Sequence, residues 1–162
     1  HINGSCIAAN PGCTDPTATN YDADFNQDCN GDFGGTDPSC CCYTCDEPTW
    51  DATNPVVVNT WAGVAPNLYA SQITFNFAAV STAVDYSLFL KQGNAYVFLS
   101  NITPTSIVNG IASYIYNNTT PSWFQDESAM EFVAEAHCEN ADGDSCGAAA
   151  TPWLPITLNS NS

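Results

Sequence analysis

Two histidines, a run of acidic and amide side chains, and nine cysteines are the residues of this chain whose types and spacing can do chemistry. A histidine at an amino terminus offers a ring nitrogen and an amine together, and with a second imidazole that set suits copper, so His1 and His137 form one candidate metal pair. Against it, His1 belongs to a Cys-rich stretch and His137 sits beside Glu131 and Glu135 on a polar strand pattern. Asp22, Asp24, Asn26 and Asp28, continuing into Asn30 and Asp32, place an oxygen at every second residue, as loops that surround calcium do. The run departs from the EF-hand pattern, because Gly31 comes late and no bidentate Glu closes it. Its competing reading is a solvated turn region held by flanking disulfides, and calcium is the one cofactor the spacing suggests. No Gly-x-Ser-x-Gly elbow is present, so no activated serine is identifiable. Carboxylate pairs for glycoside hydrolysis depend on spatial approach, which spacing does not reveal.

Seven cysteines (Cys6, Cys13, Cys29, Cys40, Cys41, Cys42, Cys45) precede residue 46, in a stretch poor in aliphatic side chains. Disulfides must replace a core there, which implies an oxidising compartment. Cys42-x-x-Cys45 has metal-knuckle spacing, but no second knuckle follows it. Cys138 and Cys146 flank the turn Asn140-Ala141-Asp142-Gly143 and are expected to bridge its two strands. That pairing leaves an odd number in the first module, so one cysteine is free, links to the second domain, or links to another chain. Vicinal cysteines are poorly placed to pair with one another, so Cys40-Cys41-Cys42 is expected to tie three distant segments together.

The formal net charge is -16, with Lys91 the only residue among all Lys and Arg. Such a surface repels phosphate backbones and anionic lipid, which excludes nucleic acid as a partner. The missing Arg removes the usual clamp for carboxylate or phosphate substrates. Cations, neutral sugars and other proteins remain. No apolar run approaches the about 20 residues that span a bilayer, so membrane insertion is not expected. The chain begins at His1 without Met, as expected of an exported protein whose leader has been removed. Glycosylation sequons occur at Asn3, Asn101, Asn117 and Asn118.

These residues need elements to position them. The 162 residues suit a small stapled module joined to one sandwich-sized domain, and composition changes between Asp46 and Pro55, giving domains at 1–46 and 47–162. After that boundary the pattern has period two. Ile73, Phe75 and Phe77 alternate with polar residues, as do Val84, Tyr86, Leu88 and Leu90, and Gln92-Gly93-Asn94 reads as a hairpin turn into Ala95 to Leu99. Phe132, Ala134 and Ala136 alternate with Glu131, Val133, Glu135 and His137; a helix over Gln125 to Ala136 competes, but its flanks favour a strand. About seven short strands with regular turn signals predict an all-β fold, an Ig-like β-sandwich preceded by a disulfide-rich, mostly irregular module. Trp50, Trp61, Trp123 and Trp153 are candidate interface anchors if exposed.

Three resemblances attach to these residues. The entry Glu47-Pro48-Thr49-Trp50, the strand Ser71 to Phe77, Asp85-Tyr86-Ser87-Leu88, and above all Glu131 to Ser145 resemble a fibronectin type III domain, with Phe75 or Phe77 and Met130 standing where that family usually has Trp and Tyr. Gly12-Cys13-Thr14-Asp15-Pro16-Thr17-Ala18-Thr19-Asn20-Tyr21 is similar to a short Cys-rich motif of secreted and surface-attached proteins. The first two imply company and location rather than catalysis. The His1/His137 pair resembles the copper brace of lytic polysaccharide monooxygenases, which implies an oxidative enzyme as the rival. The sequence therefore predicts a secreted structural protein, a glycosylated self-assembling subunit of a surface filament, appendage or matrix, with copies of itself and glycans as partners. A carbohydrate-binding or adhesion module is the other alternative, and it requires aromatic platforms on the sandwich.

Overall fold

The computed structural model describes residues 7–103 and 106–161. Among them lie ten strands and no helix: β1 (Thr49–Trp50), β2 (Val56–Ala62), β3 (Tyr69–Ala78), β4 (Ala83–Gln92), β5 (Ala95–Ile102), β6 (Ser106–Val108), β7 (Ile111–Asn117), β8 (Ala129–Glu139), β9 (Ser145–Ala150) and β10 (Leu154–Thr157). The stretch Gln125 to Ala136 is strand and turn, as its flanks require. The chain divides into two units, one of His1–Cys45 with Cys138–Gly147, the other of Asp46–His137 with Ala148–Ser162.

The larger unit is a sandwich of two sheets. One has the order β1-β3-β7-β6 with β2 also on β3; the other has β10-β8-β4-β5 with β9 also on β8. Taken in chain order this is the A-B-E-D and G-F-C-C′ arrangement of Ig-like sandwiches. Ten strands appear where about seven were expected because a C′ strand brings the sandwich to eight positions and two of these are interrupted. Pro55 precedes β2, and Pro152 separates β9 from β10, each at a position where a missing N–H would break a ladder. Thr151 keeps the register across the second break, donating its N–H to Ala134 O and accepting the Ala134 N–H at its Oγ1.

Two turns follow directly from sequence. Gln92 pairs with Ala95, leaving Gly93-Asn94 as a two-residue loop with Gly93 at φ 61°. Val108 pairs with Ile111 across Asn109-Gly110, both at positive φ, the combination that matches the twist of the flanking strands.

Alternation sets the core. Ile73, Phe75 and Phe77 of β3 face Leu88 and Leu90 of β4 and Phe132 of β8, all fully buried. The Phe75 and Phe132 rings meet edge to face at 5.0 Å, and Phe124 stacks on Phe132 at 5.9 Å. Val84, placed by its alternation on this face, is exposed at the start of β4. Phe124 lies at φ 58°, a left-handed conformation that costs a bulky residue about 1–3 kcal/mol. Local hydrogen bonds hold it there: Ala70 N–H donates to Phe124 O, and Asn118 Nδ2 donates to Ala70 O and Trp123 O.

In the smaller unit sulfur replaces aliphatic packing. Cys13, Ala18 and Cys41 form its buried cluster, flanked by Cys29 and Cys40. The disulfides are Cys13–Cys41, Cys29–Cys40, Cys42–Cys146 and Cys45–Cys138. The expected Cys138–Cys146 bridge is therefore corrected: each of these residues takes a partner from Cys42-x-x-Cys45. That segment runs along the 138–147 hairpin, where Asp142 N–H donates to Ser39 O. Bridges closing 104 and 93 residues also remove more unfolded-chain freedom than one closing a short turn. Cys40, Cys41 and Cys42 each reach a different partner, and Cys6 lies outside the described residues.

Replacing the Phe132 ring, central to both aromatic contacts, should cost most. Phe132→Ala is expected to lower the unfolding free energy by about 3–5 kcal/mol, while Phe98→Ala on the exposed face shifts it by no more than about 0.5 kcal/mol. Denaturant titration of the two variants checks the difference; equal losses would contradict the assigned core.

Candidate functional site

The outer face of the β4–β5–β8 sheet carries two groups of functional side chains. Alternation turns Asp85, Ser87, Phe89 and Lys91 of β4 away from the core, together with Glu131, Glu135 and His137 of β8. Sequence places these residues on the polar faces of their strands. Their meeting depends on the pairing of β4 with β8, which lie some 50 residues apart in the chain and cannot be matched by local periodicity.

The first group is built on His137. Its Nδ1 meets Asp85 Oδ1, and its Nε2 lies 3.0 Å from Glu135 Oε1 and 3.3 Å from Ser87 Oγ. Partial burial opposes a charged ring, but the hydrogen bonds and charges of Asp85 and Glu135 outweigh it and raise the pKa above the usual histidine value. With a carboxylate on each nitrogen, the charged form of the ring is favoured.

The connectivity Ser87, His137, Asp85 is that of a hydrolytic triad, but the serine and the imidazole each have a second partner. Ser87 Oγ donates to Asn101 Oδ1 at 2.7 Å, and His137 Nε2 lies closer to Glu135 than to Ser87. A histidine biased toward its charged form is a poor general base for that serine. Ser87 is itself buried. The group acts as a charge clamp between β4 and β8.

His137 is also the internal member of the candidate copper pair. Neither ring nitrogen of His137 is open to a metal as the side chain stands, and His1 lies outside the described residues. The side chains of the candidate calcium run take partners within their own loop. Asp28 is buried and accepts N–H groups from Asn30, Asp32 and Asp37, which holds its pKa below the ordinary carboxylate value, the Asp37 and Asp32 donors contributing most. Gly35 is required beside it, because a Cβ there would overlap the Asp28 carboxylate. Asn26 accepts the Asn10 N–H and donates to Ala8 O, and Asp22 Oδ1 accepts the Asp24 N–H. These side chains fold their own loop, and among the described residues no three His, Cys, Asp or Glu converge as metal ligands.

The motif around Asp15 is structural in the same sense. Asp15 Oδ1 accepts from Thr17 N–H and Thr17 Oγ1, while Oδ2 accepts from Tyr43 OH, which together lower its pKa. Asn20 donates to Cys40 O and accepts from Cys42 N–H, locking this loop against the cysteine run.

Of the sequons, Asn101 and Asn117 are exposed. Asn118 is 5% exposed, with its amide nitrogen donated to two carbonyls. Asn3 lies outside the described residues.

The second group is aromatic. Tyr96 and Phe98 of β5 are 64% and 53% exposed, and Trp153 is 37% exposed. Tyr96 meets Trp153 at 5.6 Å with the rings inclined by 63°, and Phe98 meets Phe89 at 5.7 Å. Lys91 Nζ sits 5.5 Å from the Tyr96 ring centre and 3.4 Å from Glu131 Oε2; that carboxylate first, then Tyr96, raises the Lys91 pKa. A cleft of about 380 Å³ opens beside them, lined by Lys91, Gly93, Ala129, Glu131, Pro155 and Thr157 among others. Sequence could not single out Tyr96 and Phe98, because β5 alternates them with Val97 and Leu99 in an unbroken apolar run. Trp50, Trp61 and Trp123 are partly buried against the core, so Trp153 alone of the four is an exposed anchor.

No protein-family model matches the chain, and a search of curated proteins finds no match. Among solved structures, the chain is similar to the crystal structure of a Br derivative of BhCBM56, with 16% identity and a TM-score of 0.33, over 60% of this chain and 86% of that one.

The raised pKa of His137 makes the clamp's contribution pH dependent. It is fully present below the unfolded-state value of about 6.5 and is lost as pH rises through the higher folded-state value. His137→Gln is expected to melt roughly 2–4 °C below the parent at pH 5.5, a loss of about 1 kcal/mol for partly exposed pairs, with a smaller gap at alkaline pH. Thermal melts on the acid and alkaline sides decide; an equal gap at both contradicts the raised His137 pKa.

Proposed function

We propose that the chain is an extracellular structural protein, a glycosylated subunit that assembles with copies of itself into a surface filament, appendage or matrix. The observation that carries this reading is the cysteine parity. The sequence carries nine cysteines, an odd number, and eight of them pair in four disulfides. An odd cysteine in an oxidising compartment favours a link to another chain.

Other features support it. Four disulfides suit an exported protein, and one Lys with no Arg leaves trypsin-like proteases almost nothing to cleave. The Ig-like strand order supports the fibronectin type III resemblance, and the structural roles of Asp15 and Asn20 fit a surface-protein motif that carries no chemistry. Among the described residues, the exposed sequons Asn101 and Asn117 fit N-linked glycans.

Sedimentation and electron microscopy of the native protein without reductant test the proposal. Covalent multimers or filaments are expected, with Cys6→Ser losing the covalent link while keeping the melting temperature of the parent. A protein that sediments as a monomer under non-reducing conditions would overturn it.

A further inference from the structure

We infer that the Tyr96/Trp153 notch, with the adjoining Lys91/Glu131 cleft, is a binding site for soluble, neutral oligosaccharides. The inference names a ligand class and does not rest on self-assembly, since a monomer can bind sugar and a filament can fail to.

Pyranose rings have apolar C–H faces and polar edges, so a site for them needs aromatic faces beside hydrogen-bonding groups. Both are present. Tyr96 and Trp153 expose ring surface that costs free energy to leave in water. At their base Lys91 Nζ supplies donors and Glu131 supplies acceptors for ring hydroxyls. The cleft volume of about 380 Å³ falls toward the lower end of small-ligand pockets, about 300–1,000 Å³.

The scaffold beneath the notch is ordered by its own bonds. Trp50 Nε1 donates to Pro152 O, and Thr151 is fixed on both sides to Ala134, so the backbone leading into Trp153 is set from two directions. Lys91 pairs directly with Tyr96 across the β4–β5 ladder. A site held this way loses little freedom on binding.

Charge and shape choose among occupants. A chain of net charge -16 repels acidic glycans and lipid headgroups. A flat apolar protein surface seated here would strip water from the Lys91–Glu131 pair without replacing its hydrogen bonds, whereas hydroxyl groups replace them. The 63° inclination of the rings forms a corner rather than a plane. A corner grips a single chain or its end; a flat crystalline polysaccharide face requires coplanar rings.

Calorimetry and tryptophan fluorescence of the intact protein with cello-, laminari-, xylo-, manno- and galacto-oligosaccharides test this. At least one series is expected to bind and to shift the Trp153 emission. Tyr96→Ala and Trp153→Ala should each weaken that binding about tenfold or more, as loss of an aromatic stacking partner does. Val108→Ser, on the other sheet, should leave it unchanged, and circular dichroism checks that all variants are folded. The inference is overturned if no neutral series binds at about 10 mM, above the millimolar Kd of a weak, open site. It is equally overturned if the aromatic variants bind like the parent, or if only acidic oligosaccharides bind.

Discussion

Residues 7–45 hold too few aliphatic side chains to exclude water from a core, and that shortage determines how the first part of the molecule is made. Sulfur takes the central positions, with Cys13 and Cys41 almost wholly buried against Ala18. Around them, carboxylates and amides supply the order that packing would otherwise give: Asp28 gathers three backbone N–H groups, and Asn20 bonds both ways to the cysteine run. The two remaining bridges, from Cys42 and Cys45, join this segment to the 138–147 hairpin. Without them the irregular segment would be tied to the 138–147 hairpin by no disulfide.

The sandwich obeys a different rule. Its inner faces are aromatic and closed, and β8 contributes to both sides: Phe132 to the core, Glu131, Glu135 and His137 to the outer surface. One outer surface thus holds a charge clamp near one end and an aromatic notch with its cleft near the other. In the clamp both nitrogens of His137 face carboxylates, and Ser87 donates to Asn101. The notch leaves ring faces and a Lys–Glu pair open to ligand.

The fold was largely legible because half-buried strands announce themselves by period two, as Ile73 to Phe77 and Phe132 to Ala136 do. The prolines at 55 and 152 accounted for the extra strand breaks. Disulfide partners were less legible, since Cys138 and Cys146 are near in sequence and yet each is reached by a segment about a hundred residues away. In the oxygen-rich run from Asp22, spacing shows ligand types and not where lone pairs point, and those of Asp28 accept backbone N–H groups. Asn118 matched a sequon for the same reason, although its amide is spent on Ala70 and Trp123. The aromatic notch was illegible in β5, where both faces are apolar and only the structure shows which one is covered.

The cysteine connectivity is the central claim, because the N-terminal unit and the parity of Cys6 both follow from it. Alkylating free thiols, digesting the unreduced protein with an Asp-directed protease and pepsin, and sequencing the linked peptides by mass spectrometry tests it directly. The pairs 13–41, 29–40, 42–146 and 45–138 are predicted, with Cys6 either alkylated or linked to another chain. A peptide joining Cys138 to Cys146, or Cys6 to any cysteine of its own chain, would contradict it.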